Sequence, residues 1–235
     1  MKNTITIKYI GLIIFIITII SINLCLILSQ IFDLNNSPFA LGDAIGDKST
    51  EWIIPYIDGN NSISRVVRVF PNSLIFKPSM LLVGILLIFY WIKNKNLVLE
   101  IDKNQKHTGK ILIFGILSSL CLIFHATVLG TEIDNGVIKK IRRIVLLLFI
   151  IFEVFAQAYL LVILYNIKNK IISLINIRFL FLKKCLVISI IFTAIISIPF
   201  LSVEGNTAFK HMLEWNYFFA VVFFYLLTFF LWRKI

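Results

Sequence analysis

Charge is scarce in this chain, and acidic charge is scarcest. Only 15% of its 235 residues are Asp, Glu, Lys or Arg, against about 25% in an ordinary soluble domain. Hydrophobic residues make up 59%, and the mean hydropathy is strongly positive. Together these exclude a soluble globular domain. Cysteine is nearly missing. Cys25, Cys121 and Cys185 each lie inside an apolar run, and no CxxC or Cys/His ligand spacing occurs, which argues against a disulfide framework or a zinc-type site. Also lacking are GxSxG, HExxH, P-loop and Rossmann fingerprints. Short alternating segments of about ten residues, the mark of a membrane barrel, do not occur. Nor does an internal repeat of the kind that gives a transporter its inverted halves.

What is present is long uninterrupted apolar runs. A run of about 18 or more such residues reads as a bilayer-spanning helix. The fold class is therefore an all-α polytopic membrane protein with six transmembrane helices in a single domain, 1–235. The predicted spans are 9–32, 78–92, 111–130, 144–167, 185–203 and 215–232. The first is too long for a signal peptide and has no small-residue cleavage site after it, so it reads as uncleaved. The second is predicted to open at Pro78, where a missing N–H costs nothing. At 78–92 it is the shortest span, about 22 Å, with Lys93 and Lys95 snorkelling or the bilayer thinning to meet it. The apolar fragments Leu97–Leu99 and Ile171–Ile177 read as interfacial, and Pro199 as a kink near the end of the fifth span.

A net charge of +11 would suggest nucleic acid in a soluble protein. With no basic soluble domain to bind it, it reads instead as lysine retained on the cytoplasmic side. Counting Lys and Arg by side gives 14 with both termini cytoplasmic, against 9 opposite. This predicts cytoplasmic termini and a large first extracytoplasmic loop, 33–77. The expected partners are membrane lipids, with anionic headgroups at the cytoplasmic basic loops, and no nucleic acid. Heavy use of Ile, Lys and Asn suits an AT-rich bacterial genome and hence a bacterial inner membrane.

Few residues stand out chemically. Glu153 lies near the middle of the fourth span, with Gln157 four residues on and so on the same helix face. An ionisable group at that depth costs about 2.5–3.5 kcal/mol, which makes it a candidate for a proton or substrate path or for helix association. The predicted topology puts Asp58, His125, Glu132, Asp134, His211 and Glu214 at or near the outer leaflet. These are either solvated interfacial groups or, if they converge, a set able to hold a catalytic metal. No ligand motif is present, so no metal or cofactor is assigned. Arg65 and Arg68 would share a helix face and could jointly contact a lipid phosphate, but on a strand they would diverge. Their valine-rich flanks favour the strand.

The stretch Glu51–Met80 is the core of the long polar segment and holds Pro55-Tyr56-Ile57-Asp58-Gly59. With six spans, inward termini and a large first outward loop, this resembles the Frag/DRAM/Sfk family, which includes the membrane domain of the yeast cell-wall protein Cwh. Its Pro-Tyr-Ile-Ser-Asp-like motif lies in that loop, and Glu214-Trp215 resembles an acidic-aromatic pair of the family's last span. Asp58 stands where the family usually has serine, Gly59 where it has the acid, and Pro71-Asn72 where it has Pro-Glu. The resemblance implies a non-catalytic protein of lipid handling or membrane organisation. Two alternatives stay open: a lipid-headgroup hydrolase or transferase with an outer-leaflet His/acid site, and a small proton-coupled transporter using Glu153.

Overall fold

The computed structural model describes residues 2–32, 54–129, 136–202 and 205–233. Among them the chain forms α1 (Lys2–Ile31), α2 (Ile63–Arg68), α3 (Asn72–Ile101), α4 (Thr108–Val128), α5 (Gly136–Asn166), α6 (Lys168–Ile171), α7 (Ile177–Ser202) and α8 (Thr207–Leu231). Six of these are long and apolar enough to cross a membrane. No strand occurs among the described residues, only an isolated bridge between Ile175 and Trp232. The chain is an all-α, multi-pass membrane protein.

The long helices close into a ring. Contacts run from α1 to α3, α4, α5, α7 and α8, and α8 returns to α1. Sequence order is therefore nearly ring order, as short connections between antiparallel neighbours favour. The ring encloses an interior into which α5 and α8 also reach across to one another. Both described chain ends lie at one end of the bundle, where Lys8 Nζ donates to the Trp232 carbonyl at 3.1 Å. The connection Pro55–Pro71 lies at the opposite end, called here the loop end.

Several boundaries depart from the sequence reading. Helix α3 does not open at Pro78. It begins at Asn72, carries Pro78 inside, and continues for 30 residues to Ile101, about 45 Å of helix. The expected short, mismatched span is thus overturned. Leu97 and Val98 belong to α3 and are buried, not interfacial. The Ile171–Ile177 fragment is half internal: Ile171 and Ile175 are fully buried while Ile172 and Ile177 stay exposed, and its main chain pairs with the end of α8 (Asn176 N to Leu231 O, Arg233 N to Leu174 O). Lys183 and Lys184 lie within α7, and Arg142 and Arg143 within α5. In each case the helix extends past the apolar run, because the main chain keeps its helical hydrogen bonds whatever charge the side chains carry.

Arg65 and Arg68 sit on a helix, which corrects the strand expected from their valines. Ser62 explains it: its hydroxyl accepts from the Arg65 N–H at 3.3 Å, an N-cap that outweighs a weak β preference. Val66 and Val67 then turn inward and are buried. Glu132 and Asp134, and residues 33–53 of the first loop, lie outside the described residues.

Candidate functional site

Two polar constellations emerge, one at the loop end and one inside the ring. At the loop end, residues Ile54–Gly59 form a tight turn. Asp58 organises it, Oδ2 accepting from Ile54 N at 2.6 Å and Oδ1 from Asn60 N at 2.9 Å. Gly59 has φ +65°, and a Cβ there would overlap the Ala208 carbonyl in the first turn of α8. The turn is thus pressed against α8 by a residue that only glycine fills without strain.

Four side chains near the start of α8, at positions 211, 214, 215 and 216, hold it. His211 Nδ1 is 3.0 Å from the Gly59 carbonyl. The Glu214 carboxylate accepts from the main-chain N–H groups of Ile63 and Ser64, the start of α2. Trp215 Nε1 donates to the Asn61 carbonyl at 2.7 Å, and Asn216 Nδ2 to the Tyr56 carbonyl at 2.7 Å. The Tyr56 ring meets Trp215 edge-on at 4.9 Å, while its hydroxyl is 3.3 Å from Asn23 Oδ1 on α1. Burial pushes the Tyr56 phenol upward, against the pull of that hydrogen bond, so it remains a neutral donor.

Among the described residues, 54–68 are therefore packed onto α8. Of the expected outer cluster, Asp58, His211 and Glu214 each bond main chain of the docked segment rather than one another. His125 stands apart on α4, where its ring reaches the Arg142 carbonyl on α5. Among the described residues no three His, Cys, Asp or Glu side chains gather as a metal site would require. Gly59→Ala should cost the docked turn about 3 kcal/mol, adding left-handed strain to the overlap with Ala208. The expected result is faster trypsin cleavage after Arg65 and Arg68 at unchanged helix content. An unchanged rate would show that this contact does not hold the turn.

The second constellation surrounds Glu153, which is fully buried. Oε2 is 2.6 Å from Ser118 Oγ on α4; Oε1 accepts from Gln157 Nε2 at 3.1 Å and from the Tyr225 hydroxyl on α8. Gln157 also donates to the Val221 carbonyl at 3.1 Å. The expected Glu153–Gln157 pairing on one helix face is thus present, and it faces the ring interior. Beside it runs a crevice of about 20 Å³, otherwise lined mainly by apolar side chains of α1, α3, α4, α5 and α8. That is room for about one water molecule. Thr18, 2% exposed, lines the crevice with its hydroxyl oxygen unpartnered.

Sequence reasoning missed Lys183, counting it among loop lysines. It is fully buried in α7. Its Nζ lies 2.6 Å from Thr228 Oγ1 and 3.6 Å over the Phe224 ring of α8. The signal was its neighbour. Adjacent helical residues point about 100° apart, so of Lys183-Lys184 only one can snorkel outward. Lys184 does so, over the Tyr165 ring at 5.4 Å. Thr228 Oγ1 in turn sits 3.0 Å from the Tyr90 hydroxyl of α3. The Tyr90 and Tyr225 rings meet edge-on at 5.0 Å.

No protein-family model matches the chain, and no curated protein or solved structure matches it either.

Proposed function

We propose that this chain is a non-catalytic multi-span membrane protein of the Frag/DRAM/Sfk type, acting in lipid handling or membrane organisation. One observation carries the reading. The two short segments in which the resemblance resides, Pro55-Tyr56-Ile57 and Glu214-Trp215, pack on one another across the loop end through the Tyr56–Trp215 ring contact. A motif pair this far apart in sequence but joined in space is what a shared structural cap requires. The Lys and Arg count places this cap outside the cytoplasm. The basic loops at the opposite end then face anionic headgroups of the inner leaflet, in a bacterial plasma membrane. Arg65 and Arg68, sharing one face of α2, are the cap's candidates for a lipid phosphate.

The same geometry disfavours headgroup hydrolysis at the loop end. His211, Glu214 and Asp58 hold main-chain groups, and His125 belongs to another helix pair.

The test is made in cells lacking the native copy. Phospholipid composition is measured, and outer-leaflet aminophospholipid is labelled with a membrane-impermeant amine reagent. Deletion should shift one or both, the wild-type chain should restore them, and Trp215→Ala should fail to restore them at normal protein level. Deletion with no lipid change would remove the proposal.

A further inference from the structure

Among the described residues Glu153 and Lys183 are the acid and the lysine buried to 0% exposure, yet they do not pair. Among the described residues neither has an ion-pair partner; the salt bridge found there, Lys170–Asp102 at 3.1 Å, lies between exposed connections. A polar cluster serving only helix association would need neither charge, since amides and hydroxyls suffice. A buried opposite pair serving only stability would be in contact. Here both groups instead turn toward α8 and meet hydroxyls. Glu153 meets Tyr225, and Lys183 meets Thr228, which touches Tyr90.

Hydroxyls donate and accept, and the proton count leaves this file two complete arrangements. Ser118 has one proton but two acceptors within reach, the Gly115 carbonyl at 3.0 Å and Glu153 Oε2 at 2.6 Å. With Glu153 ionised, Ser118 donates to it. With Glu153 protonated on Oε2, the carboxyl donates to Ser118 and Ser118 to Gly115. Thr228 repeats the pattern, with one proton between the Phe224 carbonyl at 3.0 Å and Tyr90 at 3.0 Å. Its oxygen accepts from the Lys183 ammonium, and its proton can instead pass to the neutral amine. The carboxyl end keeps its hydroxyl contacts in both states, and the lysine end keeps Thr228 Oγ1 and the Phe224 ring face.

We propose that Glu153 and Lys183 form one buried proton-exchange unit, linked through Tyr225, Tyr90 and Thr228. In the step one N–H bond of the Lys183 ammonium breaks and one O–H bond forms on the Glu153 carboxylate. Both groups become neutral and no net charge enters the ring. The one link without a direct hydrogen bond runs between Tyr90 and Tyr225, whose rings meet edge-on at 5.0 Å; the step there requires a hydroxyl rotation or an entering water. The groups facing Glu153 are Ser118 from α4, Trp91 from α3, Tyr225 from α8, Gln157 of its own helix and Thr18 across the crevice from α1. Thr228 and Phe224 of α8 face Lys183. The unit stands independently of the lipid reading.

The test is infrared difference spectroscopy of the purified full chain in liposomes, titrated from about pH 4 to about pH 10. A protonated-carboxyl C=O band should appear in the wild type and vanish in Glu153→Gln. Lys183→Met should move its midpoint by about one pH unit or more, because the carboxyl then titrates without its proton partner. Tyr90→Phe, which removes one hydroxyl of the link and no charge, should slow proton exchange after a pH jump by about tenfold with a smaller midpoint change than Lys183→Met. Lys183→Arg should recover part of the midpoint shift. If Lys183→Met fails to fold, Lys183→Gln replaces it, with the same shift expected. A midpoint unmoved in the folded variant, or no titrating band assignable to Glu153, overturns the proposal.

Discussion

Asn72→Asp should be the most damaging single-atom change at the loop end, costing about 3 kcal/mol or more. Asn72 is fully buried. Its Nδ2 lies 2.9 Å from the Cys25 carbonyl, 2.6 Å from Ser29 Oγ and 2.7 Å from the Val66 carbonyl. One amide thus joins α1, the end of α2 and the start of α3. The carboxylate of Asp would present oxygen to three oxygens, remove two donors, and bring charge into a dry junction. Each unpaired buried group costs about 1–3 kcal/mol, more when charged. Truncation to Ala should cost less, since it leaves acceptors unpaired without adding charge. The readout is built in: Cys25 is buried at this junction. In a background with Cys121 and Cys185 replaced by Ala, maleimide labelling of Cys25 should accelerate about 100-fold in Asn72→Asp, as about 3 kcal/mol of local opening requires. Labelling at the wild-type rate would show that Asn72 does not hold the helices together.

The six spans were legible in the sequence because lipid leaves the backbone one solution. A run of apolar side chains long enough to cross must bond its main chain internally, hence as a helix. Helix ends were not legible by the same rule. Hydropathy marks where the bilayer begins, not where hydrogen bonding stops, so α3 extends six residues before Pro78 and nine beyond Ile92. Local chemistry decided the remainder. Ser62 made Ile63–Arg68 helical despite its valines, a local cap that valine content alone does not reveal.

The interior site was half legible. Glu153 announced itself as an acid among apolar neighbours, and Gln157 followed from helical spacing. Ser118, Tyr225, Tyr90 and Thr228 carried no such signal, because hydroxyls cost little within a span and occur for many reasons. Only the ring closure brings α4, α5 and α8 to one point. Lys183 was the costlier omission. A charge count treats every lysine at a span's end as interfacial, whereas helix phase requires one of two adjacent lysines to turn away from its neighbour. At the loop end, Glu214-Trp215 and Pro55-Tyr56-Ile57 were each noticed, but nothing in sequence spacing says they touch.

Alanine at two glycines of α4 should act with opposite sign, and the difference measures how tightly the interior site is built. At Gly109 a Cβ meets nothing within 4 Å, so Gly109→Ala should be neutral or stabilising by up to about 1 kcal/mol, the ordinary helix preference for Ala. At Gly115 a Cβ would fall within the indole ring of Trp91. Trp91 is fully buried and braced edge-on by Tyr90 at 5.0 Å, so it has no free volume to retreat into. Overpacking of this kind costs about 1–3 kcal/mol, occasionally more; against a rigid indole the upper part of that range outweighs the propensity gain. The consequence reaches the chemistry, because the Gly115 carbonyl accepts from Ser118 and Ser119 at 3.0 and 2.6 Å, and Ser118 is the α4 contact of Glu153. Gly115→Ala should therefore lower the thermal midpoint of the detergent-solubilised protein and displace the Glu153 titration, while Gly109→Ala keeps or slightly raises the midpoint and leaves the titration in place. If both variants melt with the wild type, α3 and α4 are not held at the separation that places Ser118 against Glu153.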